Sequence, residues 1–152
     1  MAPKLKSNQP EGRDSIAEGF NPVQGDMVVK NKPSFNYDEE SDTLYVSFDP
    51  GKKATGIELN DQMLLRINKH EKKAVGVTLF NYSVLAQPTA IGQRSFPLTG
   101  LALLPEHVQE MVIQILRTPP VNEVLWLSTY TPSLTETVPI ASLWPALKAA
   151  WN

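Results

Sequence analysis

The chain contains no cysteine. Disulfide stapling, thiolate catalysis and cysteine-ligated metal are excluded together, and a cytoplasmic location is the expectation. Histidine occurs only as His70 and His107. No His-x-x-x-His spacing exists, and zinc needs three or four converging ligands, so both read as surface residues. There is no run of about 18 apolar residues, so no membrane-spanning helix is expected. Met1 to Ser15 lacks the apolar stretch of a signal peptide. Charge of one sign is missing too: 14 Lys and Arg face 16 Asp and Glu, a net charge of −2. Such a chain has no strong field with which to attract an anionic membrane or nucleic acid, so neither is the expected partner.

What remains is an ordinary globular composition in 152 residues, 41% of them apolar. That length suits one compact domain or two very small ones, and buries a core without metal or disulfide staples. Residues 1–34 are polar, with Met27, Val28 and Val29 as the sole apolar cluster. They read as a disordered or loosely docked arm, in which Met27 to Lys30 could add a short edge strand.

From Phe35 the period becomes two. Leu44, Val46 and Phe48 alternate with Thr43, Tyr45 and Ser47. Thr55, Ile57 and Leu59 share a face, as do Met63, Leu65 and Ile67, then Val75, Val77 and Leu79. Such alternation places successive side chains on opposite faces of a strand. Asp38 to Asp42, Asp49-Pro50-Gly51, Asn60-Asp61 and Asn68 to Lys73 supply the turns. Residues 35–86 therefore predict an antiparallel β-meander of four to five strands with one apolar face, which another layer must cover.

Residues 87–152 predict a helix-strand-strand-helix region that completes the core. Gln87 to Gly100 reads as loop. Pro105 opens a helix whose stripe is Val108, Met111, Val112, Ile115 and Leu116, and Thr118-Pro119-Pro120 stops it. Val121 to Tyr130 is apolar on both faces and predicts an interior strand, or one that faces a partner. Thr135 to Ile140 predicts a short strand, placed at an edge by Pro139. Ser142 would cap a terminal helix bearing Leu143, Trp144, Leu147 and Trp151. The fold class is thus α+β: the meander, an amphipathic helix on it, a C-terminal strand pair and a short terminal helix.

Three stretches carry a resemblance. Tyr-Asp-Glu-Glu-Ser-Asp-Thr-Leu-Tyr-Val at 37–46, Gly-Ile-Glu-Leu at 56–59 and Ala-Val-Gly-Val-Thr-Leu-Phe-Asn-Tyr-Ser at 74–83 resemble a small bacterial and archaeal family, domain of unknown function 2283. The shared pattern is an acidic turn, an apolar-Tyr-apolar strand, and a hairpin ending in a glycine-containing strand. The turn Asn-Lys-His-Glu-Lys-Lys at 68–73 departs from the Asp/Gly-rich turn of the family. The resemblance implies a compact antiparallel β fold and no particular reaction.

Among possible constellations, Asp38, Glu39, Glu40 and Asp42 form the densest charge group. Asp38, Glu40 and Asp42, with Asp61 or Glu58 from another hairpin, could bind a divalent metal if they converged. Four acids in one turn more often point into water. No Gly-x-Ser-x-Gly elbow and no phosphate-binding glycine loop is present. Aromatics are the remaining group: Tyr45, Phe80 and Tyr82 on or beyond the polar face of the meander, and Trp126, Tyr130, Trp144 and Trp151 further on. Tyr and Trp dominate protein-binding hot spots.

The expectation is a non-enzymatic protein-binding module without a cofactor: an adaptor, accessory subunit or neutralising partner of another bacterial protein. Leu64, Phe80 and Tyr82 are its interface candidates, and self-association through a sheet edge is the companion reading. The alternatives are a divalent-metal-dependent hydrolase or nuclease using Asp38, Glu40, Asp42 and Asp61, and a single-stranded nucleic-acid binder.

Overall fold

The computed structural model describes residues 32–144. The expectations for the arm up to residue 31, including a strand at Met27 to Lys30, and for a helix carrying Leu147 and Trp151 lie outside the described residues.

The first half forms β1 (Ser34–Asp38), β2 (Thr43–Ser47), β3 (Thr55–Glu58), β4 (Met63–Asn68) and β5 (Lys73–Phe80). They make one antiparallel sheet in the order β1-β2-β5-β4-β3. Pairing is therefore not successive throughout. The chain leaves β2, passes to the far edge as β3, and returns strand by strand until β5 closes against β2. Placing β5 in the middle buries all of Ala74 to Leu79, whereas β3 at the edge buries only Ile57.

Alternation selects the inner face: Leu44, Val46, Ile57, Met63, Leu65, Ile67, Val77 and Leu79 all enter the core. Val75 is the exception to the expected pattern. A bulge shifts the register between Arg66 and Ile67, so Ile67 pairs with Ala74 and Arg66 with Gly76. The extra residue changes the parity of the strand, and Ala74 joins the core cluster in place of Val75.

The second half begins with the short helix α1 (Tyr82–Leu85). Within the expected loop, Phe96–Pro97 forms β6. A 3-10 turn at Leu101–Leu103 leads to α2 (Glu106–Leu116). The expected stripe is the side that packs inward: Val112, Ile115 and Leu116 are buried, and Val108 and Met111 are half-buried against the core. Among the described residues no helix is long and apolar enough to cross a membrane, a fact that does not bear on β-barrels.

A second 3-10 turn, Val121–Glu123, occupies the start of the stretch expected to be strand. Then β7 (Leu125–Ser133) and β8 (Glu136–Leu143) form a hairpin, and the three-stranded sheet has the order β6-β8-β7. Two expectations are corrected here. The two-sided apolar strand is not interior but lies at the sheet edge, with Trp126 54% exposed, which leaves its partner-facing reading open, and the proline-bearing strand lies in the middle. Pro139 is tolerated because its main chain faces β6, not β7. Its carbonyl accepts from Leu98 N–H at 2.9 Å, just past the end of the two-residue β6. The missing N–H therefore points where no strand partner is needed.

A third correction concerns Ser142 and Leu143, which extend β8 and do not start a helix. Ala141 and Leu143 bury their side chains in the shared core, and the Ser142 hydroxyl bonds that of Ser95 at 2.8 Å. The tertiary apolar contacts outweigh the local capping signal. One cluster of buried side chains joins the inner face of the first sheet, α2, and Leu125, Ala141 and Leu143 of the second.

Candidate functional site

The outer face of the first sheet can be read row by row from the register. One row crosses all five strands as Asn36, Tyr45, Thr78, Leu64 and Glu58. The next is Ser34, Ser47, Gly76, Arg66 and Gly56, and on the other side Asp38 precedes Thr43 and Phe80. Tyr45 is 41% exposed and Phe80 39%. Thr78, two residues before Phe80 on β5 and flanked in its row by Tyr45 and Leu64, is only 4% exposed although it points away from the core.

Two glycines shape this face. A Cβ on Gly76 would strike the Arg66 guanidinium and would meet the Val46 carbonyl oxygen at 2.5 Å. The arginine therefore lies flat over the strand at the one position without a side chain. Similarly, Leu64 leans over Gly56, where its Cδ1 would meet an added Cβ at 3.2 Å. Among the described residues the Arg66 guanidinium has no hydrogen bond or ion pair, and the Thr78 hydroxyl makes no hydrogen bond. A buried hydroxyl without a partner is uncommon. The face thus combines apolar area, two aromatic rings and two polar groups without a partner among the described residues.

Of the three expected interface residues, Leu64 and Phe80 lie on this face, while Tyr82 does not. Tyr82 is buried, with its ring edge-on to Tyr37 at 5.8 Å. The cause is Asn81, whose left-handed φ of 55° turns the chain into α1 and ends the alternation that placed Tyr82 outside. Tyr45, expected on this polar face with Phe80, lies there.

At one end of the sheet the acidic turn is organised by local bonds. Asp38 accepts from Glu40 N–H at 3.1 Å and from the Ser41 hydroxyl at 2.8 Å. Asp42, at a φ of 54°, forms a clasp. Its carboxylate accepts from Tyr37 Oη at 2.7 Å, Ser83 N–H at 3.0 Å and Ser83 Oγ at 2.7 Å. Its carbonyl accepts from Tyr82 N–H at 3.0 Å. These bonds tie the β1–β2 hairpin to the exit of β5. The Ser83 hydroxyl, followed by the Tyr37 hydroxyl, holds the Asp42 carboxyl below its ordinary value of 3.8. The same contact pushes the Tyr37 phenol up to about 12.

The alternative metal ligands do not gather. Among the described residues no group of three His, Asp or Glu is placed to hold an ion. Asp42 follows the hairpin between β1 and β2, and Asp61 lies in the hairpin between β3 and β4. With β5 between them, strand spacing separates these turns by roughly 10 Å or more. His70 and His107 are exposed. An open cleft of about 310 Å³ is lined by Phe48, Asp49, Lys72, Lys73 and Ile115, among others. It offers one carboxylate and two surface lysines, with no nucleophile–base pair.

The remaining aromatics belong to the second sheet. Trp126 stacks on Trp144 at 4.7 Å, and Trp144 Nε1–H donates to the Asn122 carbonyl. Tyr130 is 56% exposed further along the hairpin. Sequence reasoning grouped these residues without separating the hairpin from the core. The signal that could have done so is the lack of charge between Val124 and Trp144, where Glu136 is the one ionisable carboxylate.

Fold and site together define an antiparallel α+β domain with an open sheet face. Residues 34–83 match the family model described as protein of unknown function (DUF2283). The match begins with β1 and ends at Ser83 of the clasp, so it spans the whole five-stranded sheet. No curated protein and no solved structure matches the chain.

Proposed function

We propose that this chain is a non-enzymatic protein-binding module, an adaptor, accessory subunit or neutralising partner of another bacterial protein. It docks through the outer face of the five-stranded sheet. The observation that carries this reading is Arg66: its guanidinium lies over Gly76, one row from exposed Tyr45 and half-buried Leu64, and it forms no ion pair among the described residues. Tyr and Arg on a well-ordered surface are the residue types that anchor protein interfaces. A partner presenting a carboxylate or a carbonyl would satisfy Arg66 and Thr78 while covering the two rings. A cytoplasmic setting accords with the absence of cysteine.

The test is a comparative pull-down with wild type, Tyr45→Ala/Phe80→Ala, Arg66→Ala and Glu40→Ala proteins of matched thermal stability. The expected result is a protein retained by wild type and Glu40→Ala and lost by the other two. Retention indifferent to Tyr45, Phe80 and Arg66 would end the reading.

A further inference from the structure

Among the described residues the long free edge of the second sheet is β7, nine residues without a charged side chain. The other free edges are guarded. Edge strand β1 ends in Asp38 and β3 in Glu58. Residues at and after the end of β6 also cover the end of β3: Gly100 N–H bonds the Leu59 carbonyl at 2.8 Å, and Asn60 Nδ2–H bonds the Pro97 carbonyl at 3.0 Å. Natural sheets blunt their edges with charge, brevity or cover, and β7 has none of these along Leu125 to Tyr130.

The direction of its unused main-chain groups follows from β8. In an antiparallel ladder each residue sends its N–H and C=O to the same side. Pro139 and Leu143 send theirs toward β6, to Leu98 N–H and to the Gln93 side chain. Trp144 sends its N–H to the Val124 carbonyl at 3.1 Å. The even-numbered residues of the pair are therefore the hydrogen-bonded ones. Leu125, Leu127 and Thr129 face Leu143, Ala141 and Pro139 in non-bonded pairs, so their N–H and C=O point to the open side.

We propose that two copies of this chain pair antiparallel through β7, with Ser128 on the two-fold axis, and so join two three-stranded sheets into one. In that register Leu127 and Thr129 of the second copy exchange both their main-chain hydrogen bonds, and the symmetric exchange repeats across the axis. On the outer face Trp126 lies opposite Tyr130 of the second copy, an aromatic cross-strand pair formed twice. On the other face Leu127 lies opposite Thr129. The edge is thus its own complement in hydrogen bonding and in side-chain shape, as an isologous contact requires. Charge makes the same selection. A two-fold contact brings a strand against itself, so any charge near the axis meets its like. The uncharged β7 escapes that repulsion in every register, whereas Asp38 and Glu58 leave a charge at the end of each of the other edges. This edge lies on a different sheet from Tyr45 and Phe80, so its pairing is independent of the proposed docking face.

The absence of cysteine makes the experiment direct, because a single introduced cysteine can only form a disulfide between copies. On the axis, two Ser128 Cα atoms in a non-bonded pair would lie about 4.5 Å apart, inside the disulfide range. The full chain is followed by sedimentation velocity over a wide concentration range. Ser128→Cys, and Ser34→Cys as an exposed control, are then oxidised mildly. The expected results are a concentration-dependent dimer, a monomer for Ser128→Lys with an unchanged circular dichroism spectrum, and a covalent dimer for Ser128→Cys but not for Ser34→Cys. A wild-type monomer at every concentration would overturn the proposal. So would a dimer that survives Ser128→Lys, or Ser128→Cys that cross-links no faster than the control.

Discussion

The two sheets share one hydrophobic core but treat their surfaces in opposite ways. Apart from Arg66, the five-stranded sheet carries its charge at turns and edges, and it leaves aromatic residues on its outer face. Its partner projects a nearly uncharged hairpin, buried at Leu125, Ala141 and Leu143 and exposed from Ser128 to Thr137. The first sheet is over-determined: a bulge, a non-sequential strand order and the Asp42 clasp all fix its register. Only the root of the second is held by the core. A feature lost from the first sheet should therefore cost stability, and one lost from the arm of the second should cost association.

The sharpest way to break that contrast is Gly76→Val. The added side chain meets the Val46 carbonyl and the Arg66 guanidinium on the central strand, where the backbone has nowhere to move. We expect a loss of about 3 kcal/mol, read as a lower denaturant midpoint. An unchanged midpoint would mean that β5 is not pinned against β2. Leu79→Ala, which empties a fully buried site on the same strand, should cost about 3 kcal/mol through the cavity it leaves.

These residues also show how much was legible beforehand. Period-two alternation located the strands around Leu44, Met63 and Val77, since each face is held by burial. Strand order was not legible, because alternation fixes a strand's faces and says nothing about its neighbours. The bulge at Arg66 was invisible for a related reason: one extra residue flips parity, and only pairing reveals it. Proline misled at Pro139, where the rule about edges holds for one side of a strand and β6 happens to stop on that side. Leu64 and Phe80 were placed on the outer face from alternation alone. Tyr82 was misplaced because a single left-handed residue, Asn81, lies between it and the strand. Asp42 was read with its acidic neighbours, since its partner Ser83 is 41 residues away.

The clasp yields a smaller, pH-dependent effect. Asp42 has a depressed carboxyl pKa, so its contribution is present above 3.8 and is lost as the pH falls below that value. Tyr37 is the reverse case. Its phenol is raised from 10.0 to about 12, so its contribution is present below 10.0 and is lost as the pH climbs toward 12. Asp42→Asn should lower the midpoint at neutral pH by about 1 kcal/mol, the worth of a solvent-screened charged hydrogen bond. It should also flatten the stability profile below 3.8. Tyr37→Phe should flatten the alkaline limb and weaken the acid one only in part, because Ser83 still donates to Asp42. If both limbs survive both substitutions, the clasp does not couple to folding.

The smallest effect belongs to the tip of the second hairpin. Leu134 is fully exposed, next to the turn that joins β7 to β8. Burial is what gives an apolar side chain its stabilising effect, so Leu134→Ser should change the midpoint by less than about 0.5 kcal/mol. The same holds for Tyr130→Ser within a factor set by its half-covered ring. Leu134→Ser can then be read for association without a folding correction, and Tyr130→Ser after correction for the buried part of its ring. Tyr130→Ser removes the ring expected to face Trp126 of a second copy and should weaken dimerisation, while Leu134→Ser, beyond that register, should leave it unchanged. Equal loss from both would point to non-specific adhesion of an oily hairpin, and equal indifference would move the contact away from β7.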